Sequence, residues 1–309
     1  MAINLVTGGA GFIGSHLVRE LLSQDKQVRV LDNFSTGKPE NLEGLDGSLE
    51  VIKGDLRDRE LVREIVKDVH TIFHQAALVS VALSMEDPQT CYDVNVQGTV
   101  DLLDLARASG VQKVVLASSA AVYGETTTLP LTESLPPSPL SPYAASKLVN
   151  EIYAGLYTRA FNLTVVALRY FNVYGPGQSP DSPYAAAIPI FIHRLLNNEP
   201  PIIYGDGHQV RDFIYVQDIV RANLLAAKSP NAGGEVLNIC SGQEIDLLGL
   251  INTLGEVLDI KPEPIFSSPR PGDIYRSIGD PSQAARVVNF SARVSLFEGL
   301  ANTVAWMRS

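Results

Sequence analysis

The residues with the clearest chemical potential are a tyrosine and a lysine four positions apart. Tyr143 and Lys147 fall on a predicted helix, residues 143–160, so their spacing places them on one face. An ammonium beside a phenol favours the phenolate and lowers its pKa, which makes tyrosine usable as a base near neutral pH. Ser118 and Ser119 follow a predicted strand, where a hydroxyl can hold the reacting oxygen. Such a pair alone is also typical of a solvated lysine beside a packed tyrosine, so its surroundings must decide.

A glycine-rich turn near the start of the chain predicts a dinucleotide site. Gly8, Gly11 and Gly14 lie between a predicted strand and a predicted helix, an arrangement that lets the backbone and the helix N-terminus approach a pyrophosphate. Asp32 ends the second strand, where it would accept hydrogen bonds from adenosine ribose hydroxyls and repel a 2′-phosphate. We therefore expect NAD rather than NADP. Further cofactor contacts are expected just after the third and fourth strands, at Asp55, Leu56, Ala76 and Ala77.

The elements that position these residues alternate between strands and helices. The predicted strands are residues 3–7, 28–31, 50–53, 71–74, 113–117 and 163–168, and the predicted helices are 12–24, 59–66, 90–108 and 143–160. This alternation predicts an α/β fold with a parallel, doubly wound Rossmann sheet. Beyond Gly175 prolines and glycines become frequent, which indicates a smaller C-terminal lobe that binds the substrate. We predict a cofactor domain over residues 1–174 with a return segment 212–240, and a substrate lobe formed by 175–211 and 241–309.

The composition excludes several classes of function. The chain has 309 residues and a formal net charge of −10, and an acidic surface argues against binding nucleic acid. Its two cysteines have no metal-ligand spacing, so we expect buried free thiols and no metal site. No apolar run reaches the roughly 18 residues of a membrane span. The N-terminal residues lack the pattern of a signal peptide, and we expect a cytoplasmic protein.

A series of short motifs runs in order along nearly the whole chain. They are residues 7–17 (TGGAGFIGSHL), 32–33 (DN), 54–56 (GDL), 95–99 (NVQGT), 118–124 (SSAAVYG), 143–147 (YAASK), 169–176 (RYFNVYGP), 205–207 (GDG), 211–213 (RDF) and 270–273 (RPGD). By these motifs the chain resembles the extended short-chain dehydrogenase/reductase family, and especially its UDP-glucose and UDP-N-acetylglucosamine 4-epimerases. Such an enzyme passes a hydride from C4 of the sugar to NAD and takes it back on the other face of a 4-keto sugar.

The resemblance implies a role for each matching residue. Tyr143 would be the base, Ser119 its partner at the sugar 4-oxygen, and Lys147 would also hold the nicotinamide ribose. Tyr170 would border the nicotinamide, and the other residues implied around the cofactor are Phe12, Ile13, Asn33, Asn95 and Ser118. The residues implied around the UDP-sugar are Asn172, Ala187, Ile188, Tyr204, Arg211, Arg270, Asp273 and Ser277. Arg211 could instead form a surface salt bridge with Asp212, and Arg270 could be an ordinary loop residue.

Differences within the family favour a 4-epimerase. Related dehydratases usually carry acidic residues just after the site hydroxyl, and decarboxylating relatives tend to place a glutamate there, whereas Ala120 and Ala121 follow Ser119 here. Uronate 4-epimerases often have threonine in place of Asn172. The position of Ser277 borders the 2-substituent of the sugar, and its small side chain leaves room for an N-acetyl group. We therefore expect UDP-glucose and UDP-galactose as substrates, with the N-acetylated pair also accepted.

Other interpretations stay open. The chain could be a uronate epimerase, a dehydratase or a reductase of the same family. It could also be a non-catalytic NAD sensor, although such proteins commonly lose the tyrosine or the lysine. The resemblance further implies a homodimer joined by a four-helix bundle from helices 90–108 and 143–160, although their apolar faces could equally pack on the sheet.

Overall fold

Strands and helices alternate through the first 170 residues. The computed structural model describes residues 2–179, 186–269 and 274–308. Its strands are β1 (Ile3–Thr7), β2 (Gln27–Asp32), β3 (Leu49–Lys53), β4 (Val69–His74), β5 (Lys113–Ser119), β6 (Thr164–Tyr170), β7 (Asn172–Tyr174), β8 (Ile202–Tyr204), β9 (Val210–Arg211), β10 (Phe213–Tyr215), β11 (Val236–Ile239), β12 (Ile245–Asp246), β13 (Ile265–Ser267) and β14 (Arg276–Ser277). The α-helices are α1 (Phe12–Ser23), α2 (Arg59–Ile65), α3 (Val81–Glu86), α4 (Pro88–Tyr92), α5 (Gly98–Ala108), α6 (Pro142–Phe161), α7 (Ala187–Leu196), α8 (Val216–Lys228), α9 (Leu247–Leu258), α10 (Ser282–Val288) and α11 (Leu296–Arg308).

A seven-stranded parallel sheet forms the centre of the molecule. Its strand order is β11-β6-β5-β4-β1-β2-β3, which reverses direction at β1 as in a Rossmann fold. The middle strands are apolar and buried on both faces because helices cover each side. The predicted fold class is thus confirmed. The edge strand β11 lies inside the segment 212–240, while the domain boundaries themselves stay a prediction.

The helix predicted over residues 90–108 is divided in the structure. α4 ends at Tyr92, a π-helical segment runs over Asp93–Gln97, and α5 continues from Gly98. A π-helical segment of 5 residues is too short to change the apolar spacing visibly, so the sequence did not reveal this change. The carbonyl of Asn95 accepts hydrogen bonds from Thr99 Oγ1 at 2.6 Å and from Asn150 Nδ2 at 2.9 Å.

The C-terminal elements pack around a separate apolar cluster beside the sheet. This cluster joins residues of α7, α9 and α11 to the partly buried Phe12 and Ile13 at the start of α1. The elements of the smaller lobe therefore lie against the predicted cofactor site. No helix in the described ranges is both long and apolar enough to cross a membrane.

Candidate active site

The glycine turn between β1 and α1 leaves space for a diphosphate. Gly8 has a φ of +68°, and a Cβ there would lie 2.7 Å from the amide nitrogen of Ala76. A Cβ on Gly14 would overlap the carbonyl oxygen of Gly8. α1 begins after Gly11, and no side chain caps it. The first N–H groups of the helix are thus left for an anionic ligand.

Asp32 connects the end of β2 to the glycine turn. Its Oδ2 accepts a hydrogen bond from the backbone N–H of Ala10 at 2.9 Å, and its Oδ1 accepts one from Phe34 at 2.8 Å. The residue is buried, with 7% of its surface exposed. Each carboxylate oxygen keeps a further lone pair. The side chain can therefore hold the turn and still accept hydrogen bonds from a ribose.

The predicted residues that follow β2 and β3 lie side by side. Asn33 Nδ2 donates to Asp55 Oδ2 at 3.0 Å, and Arg57 pairs with the same carboxylate at 2.8 Å. The Arg57 guanidinium holds the pKa of Asp55 well below its usual range. Leu56 is buried in the apolar cluster on one face of the sheet. This edge of the sheet thus brings together Asn33, Asp55 and the end of β2.

Asn95 supports the turn that contains Ala76 and Ala77. Its Oδ1 accepts a hydrogen bond from the N–H of Leu78 at 2.7 Å, and its Nδ2 donates to the Leu78 carbonyl at 3.0 Å. Nδ2 also lies 3.0 Å from Ser146 Oγ. The amide group is therefore engaged within the protein. It fixes the turn against α6, and its predicted cofactor contact stays a proposal.

His74 is a buried residue that the sequence reasoning missed. Thr99 Oγ1 donates to the Asn95 carbonyl, so His74 Nε2 must donate to Thr99 Oγ1 across 2.9 Å. His74 Nδ1 then accepts a hydrogen bond from Thr7 Oγ1 at 2.7 Å. Burial lowers the pKa of His74 to about 3, which keeps the ring neutral and this tautomer in place. The available signal was a histidine directly after the apolar Ile72 and Phe73 at the end of β4.

The predicted catalytic residues converge between the end of β5 and the first turns of α6. Ser141 caps α6 by accepting from the N–H of Ala144 at 3.2 Å, so the helix begins just before Tyr143. Lys147 Nζ lies 5.8 Å from the centre of the Tyr143 ring. The side chain of Ser119 lies near the phenol of Tyr143 and acts to lower its pKa. The structure therefore brings the three residues together as the spacing predicted.

The pKa of Tyr143 differs from the expected direction. Burial raises the pKa of the phenol, and the nearby Ser119 side chain only opposes this rise. Lys147 Nζ donates to the carbonyl of Ala117 at 2.9 Å, and burial lowers the pKa of Lys147 to about 8. The expectation of a lowered phenol pKa was wrong, because desolvation by burial penalises the phenolate more than its neighbours favour it.

Ser118 is engaged behind the catalytic residues. Its Oγ donates to Glu151 Oε1 at 2.5 Å. Arg169 Nε donates to the same oxygen at 2.8 Å, and Arg169 Nη2 donates to Oε2 at 2.7 Å. The hydroxyl hydrogen of Ser118 is thus used inside the protein. Its predicted contact with the cofactor stays a proposal.

Tyr170 lies at the end of β6, next to the turn that carries Ala76. Asn223 Nδ2 donates to its hydroxyl at 2.8 Å, and Gln75 Nε2 donates at 3.2 Å. Burial raises the pKa of Tyr170 to about 12. The hydroxyl is therefore a neutral member of a buried amide cluster. Through Gln75 this cluster supports the turn beside the glycine-rich turn of residues 8–14, which we call the glycine cradle.

Three predicted substrate residues meet between β7, β9 and β14. Arg211 and Ser277 are paired neighbours on β9 and β14. Asn172 Nδ2 donates to the carbonyl of Asp212 at 3.1 Å. The Asp212 carboxylate, the alternative partner of Arg211, is buried and accepts hydrogen bonds from Ser241 and from two backbone N–H groups of nearby glycines. The Asp212 carboxylate is thus already hydrogen-bonded by these groups, which fits a different partner for the Arg211 guanidinium.

The other predicted substrate residues are more dispersed. Ala187 and Ile188 begin α7, which packs on the same apolar cluster as Phe12 of α1. Tyr204 ends β8, which pairs with β13 in a separate small sheet. Arg270 and Asp273 lie outside the described residues.

Comparisons with known proteins decide the family. Residues 4–240 match the model of the NAD dependent epimerase/dehydratase family. The chain belongs to this family. It is 39% identical to the UDP-glucose 4-epimerase of Mycolicibacterium smegmatis, across 99% of this chain and 98% of that protein. It superposes on the UDP-N-acetylglucosamine 4-epimerase of Methanobrevibacter ruminantium, solved with UDP-N-acetylmuramic acid, with a TM-score of 0.95, 41% identity and coverage of 99% and 98%.

A further solved relative addresses the cofactor. The UDP-glucose 4-epimerase of Thermus thermophilus, in complex with NAD, superposes with a TM-score of 0.90 and 38% identity over 99% of each chain. The predictions of a NAD-dependent enzyme and of an isomerase are confirmed by the family and these relatives. The glycine cradle, the uncapped start of α1 and the Asp32 carboxylate fit the diphosphate and the adenosine ribose of NAD.

Proposed function

We propose that this family member interconverts UDP-glucose with UDP-galactose, and UDP-N-acetylglucosamine with UDP-N-acetylgalactosamine. The observation that carries the proposal is the meeting of Ser119, Tyr143 and an anchored Lys147 at the end of β5. This group lies at the carboxyl edge of the sheet, where the glycine cradle also opens. The relatives named above include UDP-glucose 4-epimerases and a UDP-N-acetylglucosamine 4-epimerase.

Each catalytic side chain has a defined task in this proposal. Tyr143 removes the proton from the 4-hydroxyl and returns it after the sugar has turned over. Ser119 holds the same oxygen by a hydrogen bond. Lys147 places a positive charge near the phenol and favours the phenolate, against the burial that raises its pKa. The glycine turn and Asp32 would hold NAD, which would supply reversible hydride chemistry at C4 with no net oxidation.

The residues after Ser119 support epimerisation rather than elimination. A short 3-10 helix over Ala120–Tyr123 follows β5, and Ser119 Oγ accepts a hydrogen bond from its second N–H at 3.2 Å. The first two side chains of this turn, Ala120 and Ala121, are methyl groups. They offer no acid for the loss of water from the sugar.

Ser277 supports acceptance of the N-acetylated pair. It lies on β14 beside Arg211, the proposed diphosphate ligand. Its side chain is small, so it leaves space for a substituent at C2 of the sugar. We infer that this position sets the size limit of the sugar.

We also propose a homodimer through α6 and the helical residues 90–108, which comprise the end of α4, the π-helical segment and α5. Large apolar side chains on these helices face outward, at Tyr92, Ile152, Leu156 and Phe161. Ile152 is 61% exposed, and the exposed Leu156 follows it by four residues on the same face of α6, as expected of an interaction surface. Sedimentation analysis tests this proposal, and a monomer at micromolar concentration would contradict it.

A coupled assay tests the catalytic proposal. The purified protein receives UDP-glucose, UDP-galactose and the two N-acetylated sugars separately, without added cofactor. We expect interconversion within both pairs, and Tyr143→Phe should lower kcat by at least about 100-fold. Failure on all four sugars, with and without added NAD, would contradict the proposal, and UDP-uronates would then be assayed.

A further inference from the structure

A buried ion pair lies one helical turn beyond the catalytic residues on α6. Glu151 follows Lys147 by four residues, as Lys147 follows Tyr143, so the three side chains form one stripe along the helix. The side chains of Glu151 and Arg169 are 4% and 5% exposed. Two hydrogen bonds, of 2.8 and 2.7 Å, join them in a bidentate pair.

This ion pair and Lys147 bind the same stretch of β5. Lys147 Nζ donates to the carbonyl of Ala117, and Glu151 accepts from the hydroxyl of Ser118. The next residue is Ser119, whose side chain lies near the phenol of Tyr143. Two successive turns of α6 thus hold the two residues that precede the site hydroxyl.

The need for folding stability does not explain this pair well. Well-packed apolar residues often replace a buried ion pair without loss of stability. Arg169 Nη1 is buried without a hydrogen-bond partner, and the guanidinium lies 4.6 Å from the centre of the Tyr123 ring. An unpartnered buried donor is a cost that a purely structural contact would avoid.

We propose that Glu151, oriented by Arg169, is a positioning residue that keeps Lys147 charged and holds Ser119 in place for proton transfer at the sugar hydroxyl. The inference rests on the proposed epimerase function. In this proposal the Glu151 carboxylate supplies the negative charge near Lys147. The hydrogen bond that Glu151 accepts from Ser118 fixes the end of β5.

The charged groups around Lys147 support this role. Cys91 of α4 also faces Lys147, but burial raises the pKa of its thiol and keeps it neutral. His74, at the end of β4, is neutral because burial lowers its pKa to about 3. Arg169 on β6 contributes a positive charge on the far side of Glu151. Glu151 therefore supplies the negative charge that opposes the lowering of the Lys147 pKa by burial.

Two substitutions separate the charge of Glu151 from its geometry. Glu151→Gln keeps the size and an acceptor for Ser118 but removes the charge. We expect kcat to fall about tenfold, KM to change less than about threefold, and the alkaline limb of the kcat profile to move about one unit to lower pH. Glu151→Asp keeps the charge but shortens the reach. This variant should lower kcat and leave the alkaline limb of the kcat profile at the same pH. A kcat equal to that of the wild type would contradict the positioning role.

Asp218→Asn is the matched control. Asp218 is 1% exposed and pairs with Arg221 at 2.7 Å, outside the catalytic stripe. It also accepts hydrogen bonds from the N–H groups of Arg293 and Val294. The control should lower Tm without moving the pH profile. An equal shift of the limb in this variant would overturn the proposal.

A titration without turnover separates this inference from the proposed function. Ultraviolet difference spectra of the wild type and Glu151→Gln, each against its Tyr143→Phe counterpart, report ionisation of Tyr143. We expect ionisation at higher pH in Glu151→Gln, because Lys147 loses its charge earlier. If the wild type epimerises no sugar, the proposed function fails while this titration still tests the pair. If Glu151→Gln changes neither the pH at which Tyr143 ionises nor the alkaline limb of the kcat profile, Glu151 is only structural.

Discussion

Replacing Asp32 with asparagine tests how one carboxylate serves both the glycine turn and the ribose. The two oxygens of Asp32 accept from the N–H groups of Ala10 and Phe34. In Asp32→Asn one of these N–H groups faces an NH₂ donor. Leaving a buried donor unpaired costs about 1–3 kcal/mol, or roughly a 5- to 150-fold loss in affinity if NAD needs the native turn.

The same change removes a charge that disfavours NADP. Two unit charges 4 Å apart repel by about 4 kcal/mol at an effective dielectric constant near 20. We expect Asp32→Asn to bind NADH at least about tenfold more weakly than the wild type. The ratio of the affinities for NADH and NADPH should fall by a similar factor. Fluorescence titration of cofactor-stripped protein with both nucleotides measures these changes.

Asp58→Asn is the control for Asp32→Asn. Asp58 caps α2 by accepting from the N–H of Leu61 at 3.1 Å. Because asparagine caps a helix about as well as aspartate, this variant removes a carboxylate and keeps the cap, so Tm and the nucleotide preference should both stay nearly unchanged. An Asp32→Asn protein that retains the full preference for NADH would refute the reasoning.

Three further predictions concern the cofactor cradle, the pH range and the sugar. Gly14→Ala should remove most bound NAD from the purified protein, because the added Cβ overlaps Gly8 and displaces the turn. Nucleotide released on denaturation measures this, and full occupancy would contradict it. The kcat/KM profile should fall above about pH 8, because the active form needs protonated Lys147, whose pKa is about 8. A profile that stays flat to pH 10 would contradict this. Ser277→Tyr should lower kcat/KM for the N-acetylated pair by at least about tenfold and spare the hexoses. Equal losses in parallel assays would show that position 277 does not discriminate.

Local patterns were enough to predict the residues that meet at the candidate active site. The i, i+4 spacing of Tyr143 and Lys147 depends only on helical geometry. The glycine turn and Asp32 depend on their order relative to β1 and β2. These features therefore appear in the sequence before any tertiary contact is known.

Contacts between distant segments could not be predicted in this way. Glu151 meets Ser118 and Arg169 only because α6 packs across the ends of β5 and β6. His74 connects Thr7 to a residue of α5 that lies 25 positions later. Burial, which spacing does not report, reversed the expected direction of the Tyr143 pKa.

Proton NMR of UDP-galactose incubated with the purified protein in D₂O tests the central claim most directly. Hydride transfer within the closed site predicts equilibration with UDP-glucose and no deuterium at C4 of either sugar. Tyr143→Phe should suppress this equilibration. Incorporation of solvent deuterium at C4, or no interconversion of any UDP-sugar tested, would contradict the account.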